Sequence, residues 1–251
     1  MNEFVVVIPA RYASTRLPGK PLRLIAGEPM IRHVYRVATS SAADEVWIAT
    51  DDTRIRDAAR GFGANVCLTA AGHTSGTERL AEVCDQQSWP EDLIVVNLQG
   101  DEPLMPPELI DQCAGLLNSS TADMATLASE LFAPEDYENP DVAKVIVNRD
   151  DNALYFSRAA IPCNRDHETI DVARGAALRH HGIYAYRRHI LAKLVAAKPC
   201  AMEECEKLEQ LRALWLGMTL KVGRAISRPG PGVDTEDDLA RAEAALRATK
   251  H

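Results

Sequence analysis

The most constraining feature of the chain is an alternation of short apolar runs and helical patterns through its first half. Phe4–Pro9 (FVVVIP) is apolar throughout, as a strand buried on both faces should be. A helical pattern follows over Pro29–Thr39. Glu45–Thr50 then reads as a strand, Thr53–Gly61 as a helix, Asn65–Thr69 as a strand, Thr77–Gln87 as a helix and Leu93–Leu98 as a fourth strand. Pro106–Leu117 opens on prolines that suit a first helical turn. This β-α-β-α-β-α-β order predicts an α/β fold with a mainly parallel, doubly wound sheet. The second half differs. Asp123–Ser129, Val142–Asn148, Ala153–Ser157 and Gly182–Arg187 read as strands with fewer helices between them, which predicts a few antiparallel additions. Cys205–Leu216 reads as one amphipathic helix, and Asp237–Ala248 as a closing helix.

No linker, repeat or low-complexity tract divides the 251 residues, so a single domain over 1–251 is expected, with the strand-rich stretch around 123–190 as a subregion of it. The net charge of −8 argues against nucleic acid as a partner, because phosphate backbones need a basic face. A local cluster of cations can still serve a small anion. No apolar stretch approaches the roughly 20 residues needed to cross a bilayer, so no membrane insertion is expected. The N-terminus, MNEFVVVIPAR, lacks the basic start of a signal peptide. Six scattered cysteines show no C-x-x-C pair. They read as free thiols, and the cytoplasm is the expected compartment.

Three stretches carry the chemistry. Directly after the first strand, Pro9–Pro21 (PARYASTRLPGKP) places Arg11, Arg16 and Lys20 in a loop of small residues and turn formers. In a doubly wound sheet ligands bind at the carboxyl ends of the strands, where this loop falls. Guanidinium, ammonium and backbone N–H groups there suit a triphosphate. The loop has neither a Walker A pattern nor G-x-G-x-x-G. A merely solvated basic loop is the competing reading. Asn97–Pro103 (NLQGDEP) puts Asp101 just past a glycine at the end of the fourth strand. A carboxylate there can hold Mg²⁺, which takes one or two carboxylates together with phosphate oxygens and water; a plain surface turn is the alternative. Pro229–Leu239 (PGPGVDTEDDL) sets Asp234 between a rigid loop and a helix, as a metal ligand or as part of a helix cap. His180-His181 before a strand could be one exposed and one packed histidine.

PARYASTRLPGKPL, HTSGTERLAEV, NLQGDEP, ALYFSRAAIP, RHHGIYAYR, LEQLRALW and PGVDTEDDL, in that order, resemble the nucleotidyltransferases that activate acidic sugars with CTP, and within them the 3-deoxy-manno-octulosonate (Kdo) cytidylyltransferases, the CMP-Kdo synthetases. The resemblance runs from Phe4 to about Leu246. It implies a sheet of the nucleotide-diphospho-sugar transferase type and the reaction CTP plus Kdo to CMP-Kdo plus diphosphate, with Mg²⁺ as cofactor, in a homodimer. It also implies roles. Ala10, Arg11, Arg16, Lys20 and Ser75 would bind nucleotide; Asp101 and Asp234 would hold metal; Gln99, Arg158, His181, Tyr184, Glu209 and Gln210 would form the sugar pocket. Arg158 is the candidate partner of the Kdo carboxylate. Because the nucleophile is the sugar's own anomeric hydroxyl, positioning and charge neutralisation dominate the chemistry, with Arg11, Lys20, Asp101 and Asp234 central. Three other readings compete. A glycosyltransferase would more usually show D-x-D, and Gln99-Gly100-Asp101 lacks the first Asp. A nucleotide sensor could dispense with a metal carboxylate, yet both are present. A relative acting on an 8-amino analogue or another 2-keto sugar acid shares the same pattern.

Overall fold

A computed structural model describes residues 3–14, 16–131, 133–163, 165 and 175–248. Thr15 and most of the Asp166–Ala177 stretch, to which no role was assigned, lie outside them. The chain opens with β1 (Phe4–Pro9), a 3-10 turn (Lys20–Leu22) and a small hairpin of β2 (Leu24–Ile25) and β3 (Glu28–Pro29). It continues through α1 (Met30–Thr39), β4 (Glu45–Thr50), α2 (Thr53–Gly61), β5 (Asn65–Leu68), α3 (Gly76–Gln86), β6 (Ile94–Asn97) and α4 (Pro107–Asn118). The second half adds β7 (Met124–Glu130), α5 (Pro134–Glu138), β8 (Lys144–Val147), β9 (Ala153–Ser157) and β10 (Leu178–Arg187). It ends with α6 (Arg188–Ala196), α7 (Ala201–Glu206), α8 (Gln210–Trp215), β11 (Leu220–Arg224) and α9 (Glu236–Ala248).

One sheet takes up nine strands in the order β11-β7-β10-β6-β1-β4-β5, with β8 on β10 and β9 on β8. β1 runs parallel to β4 and β6, with Ile8 opposite Ile48 and Val7 opposite Asn97. β10 runs against both β6 and β7, and β11 is parallel to β7. The sheet is therefore a parallel body with β10 and the β8–β9 hairpin as antiparallel insertions, as the two halves of the sequence predict.

Both faces are covered, and β1 shows why. Phe4, Val6 and Ile8 enter one apolar layer beneath α1 and α4, while Val5 and Val7 enter the other beneath α3, α6 and α8. All six residues of β1 are buried. Fully burying one such side chain contributes about 1.5–3 kcal/mol, so the strand anchors the loop that follows it.

Two expectations change. Cys205–Leu216 is not one helix. Lys207 adopts a left-handed conformation (φ 54°, ψ 43°) and closes α7, its N–H donating to the Glu203 carbonyl at 2.8 Å, before α8 begins at Gln210. Polar contacts of Glu206 and Glu209 with separate elements hold the two pieces apart. β10 begins at Leu178 rather than Gly182, because its first residues pair with β7 and β8; an irregularity between His181 and Tyr184 resets the register. β11 and α6 had no counterpart in the sequence reading.

Candidate active site

The carboxyl ends of β1 and β6 open onto a cavity of about 470 Å³. Ala10, Arg11, Arg16 and Lys20 line it from the loop after β1, and Gln99 and Asp101 from the loop after β6. Ser75 borders it at the start of α3, and Asp234 from the loop before α9. Eight residues singled out from four distant stretches thus share one space. The two strand-end loops meet closely: a Cβ on Gly100 would sit 2.7 Å from the Pro9 carbonyl oxygen, so only glycine fits there. Ser75 also organises its own element. Its hydroxyl accepts from the Glu78 N–H at 3.2 Å while the Glu78 carboxylate reaches back to the Ser75 N–H.

Lys20 is the hub of the charged end. Its ammonium donates to Asp101 Oδ2 at 2.7 Å, to Asp234 Oδ1 at 2.8 Å and to the Val233 carbonyl at 2.9 Å. Burial alone would lower its pKa, but Asp101 and Asp234 outweigh that and raise it. Arg16 Nη2 lies 3.1 Å from Asp234 Oδ2. The helix cap near Asp234 is made instead by Thr235 and Asp238, whose side chains exchange hydrogen bonds with each other's N–H groups. Asp234 is left to face Lys20. Two carboxylates therefore converge on one cationic centre. That donor set fits Mg²⁺, which completes its shell with phosphate oxygens and water. Among the described residues no group of three or more His, Cys, Asp and Glu side chains forms a larger metal cage.

The remaining candidates divide between three places. Thr77 Oγ1 donates to Glu209 Oε2 at 2.6 Å, whereas Glu209 Oε1 and Gln210 Nε2 are buried without a hydrogen-bond partner, Arg212 Nη2 standing 3.8 Å from Glu209 Oε1. Burial raises the Glu209 pKa, and pushes the Tyr184 phenol well up as well, with the charge of Glu209 adding to it. Gln99 joins this group through Asn97, whose Oδ1 accepts from Gln99 Nε2 at 3.3 Å and which pairs in register with Tyr184. His181 instead lines a second cavity of about 660 Å³, together with Glu102 and Arg179. Its Nε2 is 3.0 Å from Ser129 Oγ, and burial together with Arg179 brings its pKa down to about 4. His180 is down to about 3 by burial beside Thr126 and Phe156. Neither histidine is exposed, contrary to the exposed-and-packed pairing. Burial, with Asp101 and Asp234 adding to it, pushes the Glu102 carboxyl up to about 8.

Arg158 lines neither cavity, and nor do Tyr184, Glu209 and Gln210; what separates it from them is its partners. Its Nε donates to the Glu206 carbonyl and its Nη1 to the Pro140 carbonyl, each at 2.9 Å, while its own carbonyl accepts from the buried Lys144 ammonium at 2.6 Å. The structure sets it in the brace between β9 and α7 rather than with Glu209 and Gln210. Conversely, Arg79 went unnoticed in the sequence. It lines the nucleotide-sized cavity although it is buried, with Nη2 on Asp51 and Nη1 on Thr69 Oγ1, both at 2.7 Å. Its position one residue before Leu80, on the apolar stripe of α3, was the available signal.

Cations on a strand-end loop, facing paired carboxylates across the cavity, are what nucleotidyl transfer requires, and they set the protein in that class of transferase. The chain belongs to the cytidylyltransferase family, which it matches over residues 5–220, and within it to the 3-deoxy-manno-octulosonate cytidylyltransferases. It is 50% identical to such an enzyme of Halorhodospira halophila, over 98% of both chains, and 51% identical to that of Aliivibrio salmonicida, over 97% of this chain and 98% of the other. A solved CMP:2-keto-3-deoxy-manno-octonic acid synthetase complexed with CTP superposes with a TM-score of 0.90 at 41% identity over the whole of both chains. A Leptospira borgpetersenii cytidylyltransferase shares the fold, with a TM-score of 0.64 at 16% identity over 99% of this chain and 88% of the other.

Proposed function

We infer that the protein transfers the cytidylyl group of CTP to the anomeric hydroxyl of 3-deoxy-manno-octulosonate, releasing diphosphate and yielding CMP-Kdo for lipopolysaccharide synthesis. The family membership supports the reaction. The convergence of Asp101, Asp234 and Lys20 on one point is the observation that carries its assignment to this cavity. Ala10 and Ser75 border the cavity where the base would lie. Arg11, Arg16 and Lys20 receive the phosphates. For Lys20 this means exchanging carboxylate partners for phosphate oxygens.

Mg²⁺ held by Asp101 and Asp234 would neutralise charge at the α-phosphate and lower the pKa of the attacking hydroxyl. The protein's own part is positional. It aligns the sugar oxygen with the α-phosphorus and surrounds the departing diphosphate with cations. Gln99, Tyr184, Glu209 and Gln210 are read as the sugar pocket, because Glu209 Oε1 and Gln210 Nε2 lack a hydrogen-bond partner and a polyhydroxylated ligand would supply one. His181 serves the same ligand from the second cavity, as a neutral hydrogen-bonding group. Arg158 supports the pocket by holding the turn that leads into Glu209.

A homodimer is supported by apolar side chains left exposed on the second half, Leu154 on β9 and Trp215 on α8 (59% and 61% exposed). A cytoplasmic location fits the free cysteines and the demand for CTP. No described helix is long and apolar enough to cross a membrane. The deciding experiment measures diphosphate release with each nucleoside triphosphate against Kdo, its 8-amino analogue and other 2-keto sugar acids. CTP with Kdo is expected to be the preferred pair. Equal turnover with ATP would overturn the reading.

A further inference from the structure

We propose that Tyr12 is a positioning residue for nucleotide binding: its ring, clamped between Gly19 and Arg54, holds the cationic loop after β1 in shape before CTP arrives. The proposal rests on the nucleotide reading given above. Arg11, Ala13 and Ser14 line the cavity, and Tyr12 does not. Its ring packs instead on the apolar layer beneath α1 and α4, at the neck of the loop. On one side lies Gly19, in a left-handed conformation (φ 67°), where an added Cβ would come within 3.1 Å of the Tyr12 Cζ and Oη atoms. The Gly19 N–H also donates to the Tyr12 carbonyl at 3.3 Å, so backbone and ring close the same neck.

The Arg54 guanidinium sits over the ring, 3.4 Å from its centroid. That guanidinium cannot swing freely. It forks onto Asp52, with Nε to Oδ1 at 3.0 Å and Nη2 to Oδ2 at 2.6 Å. Asp52 in turn caps α2 by accepting from the Arg54 N–H at 2.9 Å. The order Asp52–Arg54–Tyr12–Gly19 thus ties the loop to the first turn of a helix rooted in the core.

Arg11, Arg16 and Lys20 depend on that tie. They sit on one loop of small residues and turn formers, which without a fixed neck would have to be ordered by the ligand itself, at the ligand's expense in affinity. A cation over an aromatic face supplies the fixing without a hydrogen bond from the phenol. The ring, not the hydroxyl, is therefore the functional part.

The test measures CTP affinity by calorimetry without the sugar acid, and then KM for both substrates, kcat and the thermal midpoint. Tyr12→Ala is expected to weaken CTP binding about tenfold and to leave the sugar KM within about twofold. Tyr12→Phe should bind CTP like the wild type. Arg54→Ala, on an exposed side chain, should weaken CTP binding about threefold with an unchanged thermal midpoint. Wild-type CTP affinity in Tyr12→Ala would overturn the proposal. So would a Tyr12→Phe variant as weak as Tyr12→Ala, which would mean a direct contact by the hydroxyl, or an equal rise of both KM values in Arg54→Ala. A wild-type protein that binds no CTP would instead overturn the nucleotide reading, and this proposal with it.

Discussion

The two ends of the site are prepared in opposite ways. At the phosphate end the key charges already have partners: Lys20 bridges Asp101 and Asp234, and Arg16 adds to Asp234. Behind the rim at Ser75, where Glu209 bonds Thr77, Glu209 Oε1 and Gln210 Nε2 are buried without a hydrogen-bond partner, with Arg212 Nη2 3.8 Å from Glu209 Oε1. The first arrangement is suited to exchange. The Arg16–Asp234 pair is exposed and is worth under about 1 kcal/mol, so a phosphate oxygen can replace it at little cost. The second arrangement is suited to capture. Each unpaired buried polar atom costs about 1–3 kcal/mol, which a ligand recovers when it supplies the missing partner. On the proposed reading, the site would trade contacts with the nucleotide and complete contacts with the acceptor.

The sharpest test of this division is at the carboxylates. Asp101→Asn and Asp234→Asn should each lower turnover by about 10²–10³, as loss of one preorganised electrostatic group does elsewhere, with the fold retained. Near-wild-type turnover at saturating Mg²⁺ would remove the metal role from both residues. Next in size is Glu209→Gln, which keeps the shape and removes a charged acceptor. The sugar KM should rise about tenfold, with the CTP KM within about twofold. A matching rise in the CTP KM would break the division between the two ends. The smallest effect is expected from Arg158→Ala. Losing its two bonds to carbonyls should lower the thermal midpoint by about 2–4 °C and leave both KM values nearly unchanged. A large rise in sugar KM with an unaltered midpoint would return Arg158 to the acceptor pocket.

The parallel body was readable because its strands are buried on both faces and spell that out locally. Phe4–Pro9 and Glu45–Thr50 match the sequence reading to the residue. Asp101 and Asp234 were readable as candidates, each at a loop beside a regular element. Their meeting on Lys20 was not, since the contacts span 81 and 214 positions along the chain and depend on the whole sheet. β11 escaped notice because LKVGR carries two cations and a glycine; its strand state comes from pairing with β7. The helix over Cys205–Leu216 was overread for the reverse reason. Its helical spacing is carried by Leu208, Leu211, Leu214 and Trp215, all after Lys207, so it speaks for α8 and says nothing of the backbone at Lys207, which closes α7.

That break does more than end a helix. In an unbroken helix Glu206 and Glu209, three apart, would lie on the same face. The left-handed residue between them sends the two carboxylates to different destinations. Glu206 takes the Ser157 hydroxyl at 2.6 Å and the Arg158 N–H at 2.9 Å, at the end of β9. Glu209 takes Thr77, in the first turn of α3, two residues beyond the Ser75 that borders the nucleotide cavity. A few residues of chain thus gear the outlying β8–β9 hairpin to the rim of the nucleotide site.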